Sequence, residues 1–407
     1  MISIEEAQHA ILNYITPLET EKVSLFHGLN RVTPEDHVAP WDIPPADNSA
    51  MDGYAFAHAG LAENRLRVCG FLPAGEEWRA PVQPGEAVKI MTGAPLPPDC
   101  DTVVPIEEVE ADAEWIRLTA PARRGAHVRQ RGEDIRTGNV VIRAGSLLRP
   151  QEIGMLSAMG TTSLAVFRRA RVAILATGDE LLEPGSTPLP GKIINSNSYS
   201  LAAQVLDAGG DPVLLGIAAD TLEATCEKIR AGMNADMLVI TGGVSVGDRD
   251  YVKSAIETLG GEVNFWKVNM KPGKPLAFAT LQGKPVFALP GNPVAAVVSF
   301  ELFVRPSILK AMGHRRLFHP TVRALLQEPA ANKGKRPHLV RGIVSTSDNR
   351  YHVSTTGNQS SGRLSSMIQG NGLIRLAPEA LHAPGDEVAV MLLDREFELG
   401  SIDDGVV

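Results

Sequence analysis

The feature that most constrains this chain is an unbroken apolar run, Val172-Ala173-Ile174-Leu175-Ala176, at the head of a stretch that repeats strand and helix signals as far as Gly313. A strand with one face in water alternates apolar and polar residues. A run with no polar position needs cover on both faces, which parallel strands between two helical layers have. A helical stretch at 199–208 follows and ends at Gly209-Gly210, a natural C-cap. A strand at 213–215, a helix at 222–231 and a strand at 237–240 extend a βαβ texture. Shorter strands at 276–279 and 286–289 come next. The last helix takes Asn292 as N-cap and Pro293 at its first position, closing near Gly313. The expected core is an α/β domain over 171–313 with an open parallel sheet.

The flanks read differently. Residues 3–15 form an amphipathic helix opened by a capping box of Ser3 and Glu6, with Ile4, Ala7, Ile11, Leu12 and Ile15 on one face. Between about 40 and 150, short β-prone runs at 87–91 and 102–104 alternate with Pro and Gly clusters, so a β-rich insert is expected. From about 314 candidate strands lie at 338–344, 351–355, 373–376 and 387–392, which suits a small barrel or sandwich.

Composition narrows the chemistry. With 407 residues the chain is too long for one ordinary core. Its formal charge of −8 supplies no general phosphate-neutralising surface, so nucleic acid is not an expected partner. The three cysteines, Cys69, Cys100 and Cys226, form no CxxC pair, and the histidines show no HExxH spacing, so a structural zinc site is not expected. The N-terminus is acidic from Glu5 and lacks the order of a signal peptide. The most apolar stretch, 286–304, is interrupted by Pro290-Gly291-Asn292-Pro293 and carries Glu301, so no membrane span is expected. A cytoplasmic protein is the expectation.

Ligands of open α/β sheets bind beyond the carboxyl ends of the strands. Three loops fall there: Thr177-Gly178-Asp179-Glu180, Thr241-Gly242-Gly243-Val244-Ser245-Val246-Gly247-Asp248 and Pro290-Gly291-Asn292-Pro293. Glycine lets backbone N–H groups come close to an anion, and Thr241 and Ser245 add hydroxyl donors. Each loop by itself reads as an ordinary turn; three in register point to a phosphate or pyrophosphate site. Neither GxxxxGK[ST] nor GxGxxG is present. Lys267, Lys271 and Lys274 lie within a segment stiffened by Pro272, Gly273 and Pro275, which suits a polyanion. Asp52, Asp134, Glu180, Asp220 and Asp250 offer oxygen ligands for Mg²⁺. Asp220 and Asp250 each precede a helical pattern and fit plain N-caps equally well, and Asp52 fits a turn cap.

Taken in order, Asn48-Ser49-Ala50-Met51-Asp52-Gly53-Tyr54-Ala55, Met91-Thr92-Gly93-Ala94-Pro95, Arg131-Gly132-Glu133-Asp134-Ile135, Thr177-Gly178-Asp179-Glu180-Leu181, Thr241-Gly242-Gly243-Val244-Ser245-Val246-Gly247, Lys271-Pro272-Gly273-Lys274-Pro275 and Leu289-Pro290-Gly291-Asn292-Pro293 resemble the bacterial molybdopterin molybdenumtransferases and the C-terminal part of gephyrin. The resemblance spans nearly the whole chain. It implies a four-part subunit: a discontinuous linking domain (1–40 and 141–170), a β-rich inserted domain (41–140), a three-layer α/β molybdopterin-binding domain (171–313) and a C-terminal barrel-like domain (314–407). It implies a homodimer in which Asp52, Thr92 and Asp134 of one chain face Glu180, Asp220, Asp250, Lys267 and Lys271 of the other. The substrates it implies are adenylylated molybdopterin and molybdate. Thr177, Gly178, Asp179, Gly242, Gly243, Ser245, Lys274, Pro290, Gly291, Asn292 and Pro293 would bind the pterin nucleotide, with Ser365 and Ser366 as weaker candidates. A contact with the molybdopterin adenylyltransferase is part of the same expectation. Two other readings stand beside it: that adenylyltransferase, which resembles 171–313, and a non-catalytic scaffold like gephyrin.

Overall fold

The computed structural model describes residues 1–112, 114–244 and 251–399. Helix α1 (Ile4–Tyr14) starts at the capping box: Ser3 Oγ accepts the Glu6 N–H at 3.1 Å, and the Glu6 carboxylate accepts the Ser3 N–H at 2.7 Å. Its apolar face is buried inside the α/β core, where Ile4, Ala7, Ile11 and Ile15 pack with Val172, Phe278 and Phe303. At about 1.5–3 kcal/mol for each fully buried isoleucine, this contact fastens the N-terminus to a domain that begins over 150 residues later. Thr20–Ser24 pairs antiparallel with Ser163–Phe167, and His37–Val38 with Val140–Ile142, in two separate two-stranded sheets, so chain from before the insert pairs with chain from after it. Between them, six strands form a sheet in the order Thr102–Pro105, Gly53–Phe56, Glu86–Ile90, Arg65–Leu72, Trp115–Leu118 and Val109–Ala111.

The α/β domain contains β1 (Arg171–Thr177), α2 (Asn197–Asp207), β2 (Asp211–Ala218), α3 (Leu222–Gly232), β3 (Met237–Thr241), α4 (Val252–Thr258), β4 (Glu262–Trp266), β5 (Ala277–Leu281), β6 (Lys284–Leu289) and α5 (Pro293–Ser299). The strand order is β2-β1-β3-β6-β5-β4. The run that heads the domain is covered on both sides as expected: Val172 and Ile174 join the cluster of α1 and α2, while Ala173 and Leu175 join that of α3 and α4. The sheet is not wholly parallel. β5 is antiparallel to both β4 and β6. The cause is the two-residue connection Gln282-Gly283, both at positive φ (52° and 74°), which makes a hairpin where a crossover helix is needed for parallel strands. After α5 the helix continues through a π-type turn (Phe300–Val304) into α6 (Arg305–Ala311).

The C-terminal strands close into a barrel in the order Thr321–Leu326, Arg350–Thr355, His338–Ser347, Gly372–Leu376 and Glu387–Leu392. Val340, Val344, Val353, Ile374, Val388 and Val390 fill its interior. Leu339 and Leu373, on the opposite side of their strands, join the α/β core. Among the described residues no helix is long and apolar enough to cross a membrane.

Candidate active site

The loops after β1, β3 and β6, three neighbours in the sheet, converge on one cleft of about 460 Å³. Thr177, Gly178, Glu180, Asp220, Thr241, Gly242, Gly243, Val244 and Pro290–Pro293 line it, and Leu181, Ile193, Ile194 and Pro275 add apolar wall. The loops after β1 and β2 are tied reciprocally: the Asp179 N–H donates to Asp220 Oδ2 (3.2 Å) and the Asp220 N–H to Asp179 Oδ1 (3.0 Å). Asp220 is not the cap of α3, because Thr221 takes that role by accepting the Ala224 N–H at 3.2 Å. Asp220 and Glu180 therefore both bring carboxylates to the cleft. Ser245 and Asp250, expected at this site, lie outside the described residues.

The floor is set by close backbone approach. Gly242 and Gly243 take φ of 92° and 62°, and a Cβ on them would lie 2.5 Å from the Thr177 carbonyl oxygen and 2.8 Å from Thr177 Oγ1 respectively. Thr241 departs from its expected role as a hydroxyl donor to ligand. Its side chain is buried, accepts from Asn197 Nδ2 (2.8 Å) and donates to the Pro290 carbonyl (3.2 Å). Thr177 Oγ1 and Asn197 Oδ1, by contrast, are buried without a hydrogen-bond partner among the described residues. Such atoms cost about 1–3 kcal/mol each when left unmet, which marks this floor as a place where a ligand or water completes the bonding.

The lysine segment borders the cleft through Pro275, while Lys267, Lys271 and Lys274 are not among its lining residues. The segment is stapled to the barrel: the Lys271 N–H donates to the Pro337 carbonyl (2.9 Å) and the Leu339 N–H to the Lys271 carbonyl (2.8 Å). Lys267 holds φ of 98°, fixed by its N–H donating to the Leu276 carbonyl at 2.8 Å. Lys271 thus joins a second cationic group that sequence reasoning missed. His338 is buried, and burial first, then the charges of Lys271, Arg341 and Arg336, push its pKa down to about 4. Arg341 is wholly buried; its Nε donates to Ser366 Oγ (3.1 Å) and its Nη2 to the Ser360 carbonyl (3.1 Å), while Nη1 has no partner among the described residues. Burial lowers its pKa. Ser366 is spoken for, accepting from Arg341 and donating to the Arg363 carbonyl (2.7 Å), and Ser365 is exposed. The loop that carries Ser360 reaches the cleft side of the molecule, where the Val294 N–H donates to the Ser361 carbonyl (3.1 Å). The available signal for Arg341 was a lone charge within the apolar strand run His338-Leu339-Val340-Arg341-Gly342-Ile343-Val344.

The inserted domain carries a third group. Asp52 Oδ1 accepts both the N–H and the Oγ1–H of Thr92 at 2.7 Å each, and these bonds, the backbone one first, hold its carboxyl below the usual range. Asp134 is exposed, and its N–H donates to the Ile43 carbonyl (3.1 Å). The apolar side chains of Met51, Met91 and Ile106 are exposed beside the Asp52–Thr92 pair. Neither Asp52 nor Asp134 lines the α/β cleft of its own chain. Among the described residues no three His, Cys, Asp or Glu side chains gather to hold a metal ion.

Three family models match successive parts of the chain: "MoeA N-terminal region (domain I and II)" over residues 2–160, "Probable molybdopterin binding domain" over 173–310 and "MoeA C-terminal region (domain IV)" over 323–393. A molybdopterin molybdenumtransferase of Nostoc is 36% identical, covering 97% of this chain and 94% of its own. A molybdopterin molybdenumtransferase 2 of Mycobacterium tuberculosis is 34% identical over 96% of this chain and 99% of its own. The crystal structure of the molybdopterin biosynthesis protein MoeA from Pyrococcus horikoshii superposes with a TM-score of 0.82 at 30% identity, covering 96% of this chain and all of that one (100%).

Proposed function

The chain belongs to the molybdopterin molybdenumtransferase family, and from that premise we propose that it inserts molybdate into adenylylated molybdopterin and releases AMP, completing the molybdenum cofactor. The relatives match along nearly their whole length, inserted domain and barrel included, and carry the transferase name, so the adenylyltransferase and scaffold readings give way. The observation that carries the substrate assignment is the cleft itself. Glycine backbone from three adjacent loops frames a space whose floor, among the described residues, keeps the Thr177 hydroxyl unmatched and able to donate to a phosphate oxygen. Such a frame suits the diphosphate that joins pterin to AMP.

Lys267, Lys271 and Lys274 draw the two anionic reactants together, and lysine serves here as a compact charge without planar demands. The spare Nη1 of Arg341, beside Lys271 and a His338 that is uncharged at neutral pH, offers a fixed donor to the tetrahedral molybdate dianion. Glu180 and Asp220 fit a Mg²⁺ site, because that ion commonly takes one or two carboxylates and completes its shell with water and substrate phosphates. Bound there, Mg²⁺ supplies neutralisation of diphosphate charge. The protein's own residues orient the diphosphate, exclude water at the apolar wall and present the carboxylates. In this reading Asp52, Thr92 and Asp134 act from the inserted domain of a second copy in a homodimer. The enzyme works in the cytoplasm, in keeping with three free cysteines, and receives its substrate from the adenylyltransferase. Incubating purified protein with adenylylated pterin tests the function: AMP release that depends on molybdate supports it, and release indifferent to molybdate overturns it.

A further inference from the structure

One buried amide welds two loops of the cleft together. Asn197, in the first turn of α2, is 8% exposed. Its Nδ2 donates to Thr241 Oγ1 at the end of β3 (2.8 Å) and to the Gly291 carbonyl after β6 (2.9 Å). Thr241 Oγ1 passes its own hydrogen to the Pro290 carbonyl at 3.2 Å. The amide has one workable orientation, since turning it over would set Oδ1 against the Gly291 carbonyl. Helix capping does not account for Asn197. Asn195 does that work, its Oδ1 accepting the Ser198 N–H (3.2 Å) while its Nδ2 donates to Ser198 Oγ (3.0 Å). Nor does the sheet need it: β3 and β6 pair in register from Leu238↔Val286 to Thr241↔Leu289 without any side chain.

We propose that Asn197 is a positioning residue for the substrate's diphosphate: through Thr241 and Gly291 it sets the spacing between the Thr241–Val244 and Pro290–Pro293 loops, and so the distance between the seats of the two phosphates. The inference rests on the reading of the cleft as the diphosphate site. Loss of the amide leaves the strands paired and lets the loops part.

The test is calorimetric binding of inorganic pyrophosphate to the full-length protein, with thermal midpoints measured alongside. Asn197→Ala and Thr241→Val each weaken binding about tenfold, the scale of one buried hydrogen bond to a fixed loop. Thr241→Ser recovers most of what Thr241→Val loses, because the hydroxyl returns. The double variant Asn197→Ala with Thr241→Val loses less than the sum of the two single losses, since both cut the shared Asn197–Thr241 bond while each alone spares one further link, Thr241 to Pro290 or Asn197 to Gly291. KM for the adenylylated pterin rises by the same factor as the pyrophosphate dissociation constant. A merely structural role lowers the midpoint without moving pyrophosphate affinity, and that outcome overturns the proposal, as do additive losses in the double variant. Failure of the unaltered protein to bind pyrophosphate sinks the reading of the cleft and the inference with it. Normal binding by the unaltered protein and Asn197→Ala alike sinks only the role of Asn197.

Discussion

Two charged residues in opposite settings show how much the surroundings decide. Asp52 is exposed and receives two hydrogen bonds from Thr92, so its carboxyl titrates below the usual range. A depressed folded pKa means that the contact with Thr92 is fully present above the unfolded value of ~3.9 and fades as pH falls through the folded one. Between pH 5 and 9 Asp52 therefore keeps its charge. Asp52→Asn should lower molybdate-dependent AMP release by about 10²–10³ without displacing the pH profile and with little change in thermal midpoint. Near-normal release rules out a catalytic Asp52. Arg341 is wholly buried, and no carboxylate pairs with it among the described residues. A buried charge is weak support for a fold, and apolar replacement of such groups is often neutral or stabilising. Arg341→Met should leave the thermal midpoint unchanged or raised, yet increase the molybdate concentration for half-maximal AMP release by about ten- to hundredfold, the worth of a hydrogen bond to a charged group. A large fall in midpoint with unchanged molybdate dependence would make Arg341 a structural residue.

At the scale of elements, two glycines with similar backbone separate local strain from cleft geometry. Gly283 (φ 74°) closes the β5–β6 hairpin, and a Cβ there would have nothing within 4 Å, whereas a Cβ on Gly243 (φ 62°) would meet Thr177 Oγ1 and Val252 Cγ2 at 2.8 Å each. Gly283→Ala should cost about 1–2 kcal/mol, the left-handed penalty for an L-residue, and spare pyrophosphate binding. Gly243→Ala adds a clash that the loop relieves only by moving, so it should weaken pyrophosphate binding at least about tenfold. Equal binding by the two variants would mean that the close approach has no bearing on the cleft. Elements with a local signature were legible in the sequence. The Ser3–Glu6 capping box opens α1, Pro293 starts α5, and the strand expected at 387–392 forms with those ends, Glu387–Leu392. The direction of β5 was misread because two short apolar runs look alike in either orientation, and only Gln282-Gly283 between them carries the reversal. The three loops of the cleft were legible from glycines at strand ends. Arg341 and Asn197 were not, since each owes its place to contacts between distant segments, Arg341 to Ser360 and Ser366 and Asn197 to Thr241 and Gly291.

Across the whole molecule, the acidic residues fall into two sets that one chain keeps apart. Glu180 and Asp220 line the α/β cleft, while Asp52 sits with Thr92 in the inserted domain, beside exposed Met51, Met91 and Ile106. If one working site needs both sets, it must be built from two chains, and complementation reads this directly. Consider dimers purified through two different tags, with Asp52→Asn in one chain and Glu180→Gln in the other. Shared sites place both lesions in one cleft and leave the second intact, so these dimers should release AMP at about half the rate of the unaltered dimer. The reciprocal dimer, an unaltered chain paired with one carrying both substitutions, then has one lesion in each cleft and should be inactive. Sites contained within single chains reverse both outcomes, because each chain of the first dimer is damaged while the second keeps a whole one. Activity confined to the reciprocal dimer would therefore exclude a cleft completed by the partner, and with it the role assigned to Asp52.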